Sequence, residues 1–242
     1  MADLVPTGVE GLDTVLNGGI LRRSAVLVSG NPGSGKSILG QQFVYEGAAT
    51  HGENGLYLSF EESQEEIALT AESVSMTEWD DLVAAGDIDV FGKRDLLREN
   101  DITDSVDIVL QAIDEGDYDR LVVDSLTIFG LFFDGKRKRR QYLLKFIDIL
   151  KQNDITSIMI HEQSATFPKV NIGLENYVTD GNIYLAQMPT SASRSRYVWV
   201  AKMRRQNVQS DVFPMEISDD GLEVYDSAAS FSLLNSEWGP QE

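Results

Sequence analysis

The stretch Gly30-Asn31-Pro32-Gly33-Ser34-Gly35-Lys36-Ser37 decides the fold of this 242-residue chain. It follows an apolar, strand-like run at residues 24–29 and opens a helical pattern that extends to about residue 49. Glycines in such a turn let several backbone N–H groups point inward around an anion, because a side chain would block the approach. The strand–turn–helix context favours this interpretation over an ordinary glycine-rich turn. The stretch therefore predicts a phosphate-binding loop.

The residue types in this loop predict the contacts that it makes with a nucleotide. We expect Lys36 to reach the β- and γ-phosphates of ATP as a point charge and the Ser37 hydroxyl to be a ligand of Mg²⁺. The helix that begins here adds the positive end of its dipole. The predicted ATP-binding residues of the loop are Gly30, Asn31, Pro32, Gly33, Ser34, Gly35, Lys36 and Ser37.

Patterns beyond the loop predict an α/β fold. From residue 24 to residue 160, strand-like apolar runs alternate with helical patterns, which is typical of a mainly parallel sheet flanked by helices. Later strand-like runs predict an antiparallel C-terminal extension at one edge of the sheet. These runs lie at residues 182–186, 197–203, 212–217 and 222–225. We expect a single domain over residues 1–226 and a loosely ordered tail over residues 227–242.

Acidic residues follow three of the predicted strands, at the sheet edge where open α/β folds bind ligands. Asp124 closes the run Leu121-Val122-Val123 and is the predicted Mg²⁺ holder, directly or through water; a turn-capping Asp is the alternative. Glu162 ends the strand-like run around residue 160 and is predicted to contact the γ-phosphate. Glu61 and Glu62 close a third strand. They could polarise an attacking water or be solvated acids, and the residues alone leave both interpretations open.

Composition excludes several classes of protein. The chain has no cysteine, which rules out disulfides, thiolate metal sites and a Cys nucleophile. The two histidines, His51 and His161, lie far apart in sequence, which disfavours a histidine metal site. No run approaches the roughly 20 apolar residues of a membrane helix, and the N-terminal residues lack a signal-peptide pattern. We expect a cytoplasmic protein that does not bind membranes.

The chain is strongly acidic, with 39 acidic residues against 20 basic ones and a formal net charge of −19. Such a charge disfavours a surface adapted to nucleic acid or anionic membrane, because its field repels phosphate. Dispersed acids are also typical of adaptation to a high-salt cytoplasm, where charge is screened within ~3 Å at 1 M salt. We therefore expect a halophilic, archaeal origin, in which case the net charge says little about partners.

Taken together, the loop, the Glu-Glu strand end and the strand before Asp124 resemble the KaiC-like branch of the RecA superfamily of P-loop ATPases. The resemblance extends from about Thr7 to Tyr225. It implies ATP hydrolysis with Mg²⁺ and the activation of water by Glu61 and Glu62. The segments similar to family elements are Pro6-Thr7-Gly8-Val9-Glu10-Gly11-Leu12-Asp13, Phe60-Glu61-Glu62 and Val123-Asp124-Ser125-Leu126-Thr127.

A further element, Lys202-Met203-Arg204, is similar to the K-x-R pair of the family. The resemblance implies that Lys202 and Arg204 act catalytically in trans, on the γ-phosphate bound by a neighbouring subunit. It also implies a homo-oligomeric ring, expected to be a hexamer, and a regulatory protein partner of unknown identity. Both residues alternate along one predicted strand, so their side chains are expected on one face of the sheet. Pairing with local acids is the alternative.

The chain departs from the family in three respects. It has one domain where the clock protein has two, and Asn176-Tyr177 occupies the place of the adjacent Ser and Thr phosphosites. Arg205 follows the K-x-R pair, where the family usually has Gly. Self-phosphorylation and clock function therefore do not carry over to this chain.

A dense basic run, Lys136-Arg137-Lys138-Arg139-Arg140, stands out in the acidic chain. It is predicted to be a solvated helix entry or an interface to the acids of a neighbour, with nucleic acid or another acidic partner as the alternative. Basic residues at a helix N-terminus oppose the helix dipole, so a compensating group is expected.

Three functions are compatible with these features. The first is a regulatory ATPase that works as a nucleotide-dependent ring. The second is a recombinase paralogue that acts on DNA in repair, and the third is a protein kinase that acts on itself or a partner. Beyond the basic run, the sequence shows no groove of aromatic and basic residues for DNA. We therefore favour the regulatory ATPase.

Overall fold

The computed structural model describes residues 3–96, 102–127, 135–163, 172–189 and 194–227. Its strands are β1 (Leu4–Val5), β2 (Ile20–Leu21), β3 (Ala25–Gly30), β4 (Gly55–Ser59), β5 (Ile88–Phe91), β6 (Arg120–Asp124), β7 (Thr156–Glu162), β8 (Gly181–Pro189), β9 (Arg194–Met203), β10 (Val212–Ser218) and β11 (Gly221–Val224). Its helices are α1 (Leu12–Val15), α2 (Lys36–Glu46), α3 (Gln64–Ser73), α4 (Trp79–Ala85), α5 (Lys93–Leu96), α6 (Ile102–Glu115), α7 (Lys136–Gln152) and α8 (Leu174–Val178). A π-helical turn, Gly47–His51, follows α2. Apart from residue 227, the predicted tail lies outside the described residues.

The centre of the fold is a nine-stranded sheet with the order β11-β10-β9-β8-β3-β7-β6-β4-β5. Within this sheet the six strands from β3 to β8 all run parallel to one another. Strands β9, β10 and β11 each pair antiparallel with the strands beside them. The predicted α/β class, with a mainly parallel sheet and an antiparallel C-terminal extension, is confirmed. Among the described residues, no helix is both long and apolar enough to cross a membrane.

The antiparallel part of the sheet begins one strand later than predicted. Strand β8 is parallel to β3 and antiparallel only to β9. Strand β8 starts at the end of the sheet where the other parallel strands begin. There the backbone N–H of Asp180 donates to the carbonyl of Ala25, the first residue of β3, at 2.8 Å. A strand that starts at the same end of the sheet as its neighbour must run parallel to it. The apolar run does not indicate at which end the strand starts, so the sequence alone did not reveal the direction of β8.

Both faces of the sheet are covered, as expected for parallel strands with continuous apolar runs. All six residues of β3 are buried. Val26 and Val28 join the hydrophobic core beneath α2, α3 and α4, whereas Ala25 and Leu27 join the core beneath α6 and α7. The domain is therefore a three-layer α/β/α structure, with α3–α4 and α7 on opposite faces of the sheet.

A buried arginine fixes the N-terminal segment against this sheet. Arg120 has no solvent-exposed surface, and its Nη1 donates to the carbonyls of Pro6 and Phe43, each at 2.8 Å. Its Nε lies 2.6 Å from Glu53, so the buried charge is paired and hydrogen-bonded. An uncompensated buried charge would be strongly destabilising. Arg120 thus holds the entry segment, α2 and β6 together behind the phosphate-binding loop.

Candidate active site

The phosphate-binding loop has the geometry that its glycines predict. It connects the end of β3 at Gly30 to the start of α2 at Lys36. Gly33 and Gly35 have φ values of 75° and 100°, in the left-handed region where side chains are disfavoured. A Cβ atom on Gly30 would lie 2.3 Å from the carbonyl oxygen of Leu185. At position 30, therefore, no residue other than glycine fits without displacing β8.

Lys36 is held inside the cleft rather than in solvent. The residue is only 6% exposed, and its Nζ donates to the carbonyl oxygen of Asn31 at 2.9 Å. Burial lowers the pKa of Lys36, and the carboxylates of Glu162, Asp124 and Glu61 oppose that effect. The ammonium group is therefore aimed into a space bordered by carboxylates, where an incoming phosphate would replace the carbonyl as its partner.

The register of the sheet brings the predicted acidic residues to one edge. Gly30 of β3 lies beside Glu162 of β7, and Asp124 of β6 lies beside Ser59 of β4. A cleft of about 400 Å³ opens at these strand ends. It is lined by Pro32, Gly33, Gly35, Lys36, Ser37, Ile38, Glu61, Asp124, Glu162, Arg196 and Ile217.

Asp124 and Ser37 each place a side-chain oxygen atom in this cleft, where it could be a ligand of a metal ion. The Asp124 side chain is hydrogen-bonded to Ser37, and the Tyr57 hydroxyl donates to its Oδ2 at 3.1 Å. Burial raises the pKa of Asp124, and the hydrogen bonds from Ser37 and Tyr57 oppose that shift. A hydroxyl and a carboxylate oxygen are the kind of ligand that Mg²⁺ takes beside phosphates. The residues present therefore fit a magnesium–nucleotide complex.

The adjacent glutamates occupy two different environments. Glu61 is exposed at the cleft, where its Oε1 accepts a hydrogen bond of 2.7 Å from Ser125. Glu62 is half-buried, and within the described part of the chain its Oε2 has no hydrogen-bond partner. Burial raises the pKa of Glu62, and the charges of Asp124, Glu66 and Glu61 add to the shift. One carboxylate is thus oriented towards the cleft, and the other is half-buried with an oxygen that has no hydrogen-bond partner in the described part of the chain.

Lys202 and Arg204 lie away from this cleft. Lys202 is on β9, and its Nζ donates to the carbonyls of Asn176 and Thr179 at 2.9 and 2.5 Å. Arg204 donates to the carbonyl of Tyr177 at 2.9 Å. Both cations therefore contact the C-terminal end of α8, near the start of β8, whereas the phosphate-binding loop follows the end of β3. For the alternative of pairing with local acids, the described residues show one long contact, at 4.0 Å, between Arg204 and Asp180.

The prediction that Lys202 and Arg204 alternate along one strand is wrong. Strand β9 ends at Met203, and Arg204 is the first residue of the turn that follows. The backbone N–H of Arg204 still donates across to the carbonyl of Asp180, but Arg205 adopts a left-handed φ of 61°, which takes the chain out of the extended conformation and ends the strand. The two cations share a target, the carbonyls of α8, without sharing a strand.

Arg196 is a cleft residue that the sequence did not single out. It lies on β9 opposite Gln187 of β8, and Gln187 donates to the carbonyl of Gly33 in the loop. The Nε of Arg196 is buried and, as far as the described residues show, lacks a hydrogen-bond partner. A basic residue in an apolar strand-like run was the available signal. Its significance depends on β9 lying close to the loop, which the sequence does not reveal.

The fold and this site together define a P-loop ATPase of the α/β class. The profile of one protein family, described as "ATPase: KaiC", matches residues 5–229. The chain therefore belongs to the KaiC family of ATPases, and the resemblance stated from its motifs is confirmed.

Individual relatives agree with this assignment. A UPF0273 protein of Pyrococcus furiosus is 31% identical, over 93% of this chain and 95% of its own length. The circadian clock oscillator protein KaiC of Prochlorococcus marinus subsp. pastoris is 27% identical over 91% of this chain. That alignment spans only 45% of the clock protein, so the chain covers about half of its length. The crystal structure of a KaiC-like protein from Pyrococcus horikoshii superposes with a TM-score of 0.81 at 26% identity, covering 93% of this chain and 100% of that one.

Proposed function

We propose that this protein is a KaiC-like regulatory ATPase that binds ATP with Mg²⁺ and hydrolyses it to ADP and phosphate. The observation that carries the proposal is the convergence of Lys36, Asp124, Glu61 and Glu162 on one cleft at the carboxyl ends of parallel strands. A nucleotide-sized space lined by one cation and several carboxylates suits a triphosphate with its divalent ion.

The roles in this proposal follow from the contacts of each side chain. The loop residues and Lys36 bind the phosphates, and Ser37 and Asp124 would hold Mg²⁺, which supplies charge neutralisation between the phosphates. Glu61 or Glu62 orients a water molecule and takes its proton as the oxygen attacks the γ-phosphorus and the bond to the β-phosphate oxygen breaks. Glu162, at the end of β7, contacts the γ-phosphate.

We further propose that the active form is a homo-oligomeric ring in which Lys202 and Arg204 act on the nucleotide of a neighbour. Their position supports this, because both contact the end of α8 and neither lines the cleft of its own chain. A cation supplied in trans stabilises charge on the transferred phosphoryl group. The nucleotide state would then control assembly and, through it, partner binding.

Two measurements test the proposal. Phosphate release by the purified protein should require ATP and should stop when EDTA removes Mg²⁺, and light scattering should show a larger assembly with a non-hydrolysable ATP analogue and Mg²⁺ than without. Absence of nucleotide binding would overturn the ATPase assignment. Stimulation by single-stranded DNA would instead favour the recombinase alternative, and transfer of labelled phosphate to protein would favour the kinase.

A further inference from the structure

The basic run at the start of α7 forms an exposed stripe. The segment from Lys136 to Lys145 contains six basic residues and no acidic one. Arg137 and Arg140 are exposed, and Leu144 keeps 37% of its surface in solvent. These three residues have i, i+3 and i+7 spacing, which places them on one side of a helix. We call Arg137, Arg140 and Leu144 the basic stripe.

The location of the basic stripe is unfavourable for an isolated chain. Cations in the first turn of a helix oppose the helix dipole, and Arg137 lies in the first turn of α7. Arg139 is compensated by an ion pair with Glu175 at 2.5 Å. Arg137 and Arg140 form no ion pair within the ranges that the structure describes. Both exposed guanidinium groups are therefore available, as far as the described ranges show, to carboxylates of a partner.

A surface of opposite character lies between α3 and α4. Residues 61–92 contain ten acidic residues and neither Lys nor Arg, and Arg94, just beyond this segment, forms an exposed ion pair with Glu65 at 3.7 Å. Glu65, Leu69 and Glu72 have i, i+4 and i+7 spacing on α3, and Asp80 of α4 faces the same groove of about 600 Å³. Leu69 is 64% exposed. We call Glu65, Leu69, Glu72 and Asp80 the acidic groove, which offers an apolar contact flanked by carboxylates.

The two surfaces cannot meet within one chain. The acidic groove belongs to helices that pack on one face of the sheet, and the basic stripe belongs to α7 on the other. We propose that the basic stripe of one copy docks into the acidic groove of a second copy. This inference rests on the proposed self-assembly and names the surfaces that make it. Because the contact joins two different patches, it is head-to-tail, the type of interface that closes into rings.

The basic stripe and the acidic groove match both in charge and in apolar contact. This double match favours a second copy of the chain over a nucleic acid as the occupant of the groove. The guanidinium groups of Arg137 and Arg140 match the carboxylates of the groove, and Leu144 offers an apolar side chain to Leu69. A phosphate backbone would use only the charges, and the net charge of −19 would repel it. Contact between paired groups also survives high salt better than long-range attraction does.

Charge reversal at each surface tests this inference. Arg137→Glu/Arg140→Glu and Glu72→Lys/Asp80→Lys should each raise the protein concentration for half-assembly by about tenfold or more, measured by light scattering with Mg²⁺ and a non-hydrolysable ATP analogue. A 1:1 mixture of the two variants should assemble again, because alternating copies restore a complementary pair at every interface. The first variant should fold well, because glutamates near a helix N-terminus favour the dipole.

Controls separate the interface from general charge effects. Asp114→Lys/Glu115→Lys, an exposed acidic pair at the end of α6, should assemble like the wild type. Both reversed variants should still bind the analogue, which shows that their folds and clefts are intact. Assembly of either reversed variant at wild-type concentration, or a mixture that stays unassembled, would overturn the docking surfaces alone. A wild-type chain that remains monomeric would overturn the ring and the docking surfaces together.

Discussion

Among single residues, Lys36 has the most direct role in the proposed nucleotide binding. Lys36→Ala removes the loop's own cation, and hydrogen bonds to charged groups are worth up to ~3 kcal/mol each, so ATP affinity should fall by roughly 100-fold or more. A nucleotide-binding titration measures the loss. Lys145→Ala is a matched control, because that lysine is exposed on α7 and does not line the cleft. Micromolar affinity retained by Lys36→Ala would contradict the loop assignment.

The two glutamates are predicted to affect hydrolysis without affecting binding. Glu61→Gln or Glu62→Gln keeps the shape of the side chain and removes its negative charge, so phosphate release should slow by ~10²–10⁴-fold while ATP stays bound. Glu115→Gln, exposed at the end of α6 and outside both the cleft and the acidic groove, should hydrolyse ATP at the normal rate. If Glu61→Gln and Glu62→Gln also hydrolyse ATP normally, Glu61 and Glu62 have no catalytic role.

The raised pKa of Glu62 predicts a pH dependence of the rate. A carboxyl group accepts a proton only when ionised, and burial together with neighbouring carboxylates shifts the pKa of Glu62 above its usual 4.5. Hydrolysis should therefore fall as pH decreases through this raised pKa, at a pH where ordinary surface glutamates are still ionised. Rate profiles of wild type and Glu62→Gln provide the check. An acidic limb that is identical in both proteins would exclude Glu62 as its source.

At the scale of elements, the end of β9 and the helix α8 form one unit. Lys202 and Arg204 bind three carbonyls at the C-terminal end of α8, where cations also interact favourably with the helix dipole. This packing holds both side chains near the start of β8, away from the cleft of their own chain. The unit therefore presents two oriented cations that a neighbouring subunit could use.

A mixing experiment tests whether these cations act in trans. Lys36→Ala and Lys202→Ala/Arg204→Ala should each be inactive, since a cation that stabilises the transferred phosphoryl group is worth ~10³–10⁵ in rate. In mixed rings, some interfaces pair an intact loop with intact cations, so phosphate release should partly return. Normal hydrolysis by Lys202→Ala/Arg204→Ala alone would rule out the role. So would mixed rings, shown to form by light scattering, that recover no activity.

At the scale of the whole molecule, the net charge predicts a requirement for salt. Dispersed carboxylates repel one another across a Debye length of ~30 Å at 0.01 M salt, and this distance shrinks to ~3 Å at 1 M. The melting temperature should therefore rise across a KCl series into the molar range, and ATPase activity should rise with it. A melting temperature that is flat or falls with added KCl would contradict the prediction of halophilic adaptation.

The sequence by itself determined the local parts of this protein. The glycines of a turn between a buried strand and a helix specify the backbone conformation of that turn. The chain has this conformation from Gly30 to Lys36. The sequence also placed Asp124 and Glu162 at strand ends. Carboxyl ends of parallel strands share one edge, so recognition of a parallel sheet was enough to bring these residues together. The pairing of Ser63 with Glu66 at the start of α3 is likewise a local pattern.

Only the tertiary structure decided how the later strands are arranged. Apolar periodicity indicates which face of a strand is buried, but not which strand lies beside it or in which direction it runs. Placing β8 parallel to β3, with β9 beside it, brings Arg196 to the cleft and leaves Lys202 and Arg204 at the end of α8. Packing also decided that Glu62 is half-buried while Glu61 faces the cleft. These outcomes depend on contacts between residues distant in the chain, which no local pattern encodes.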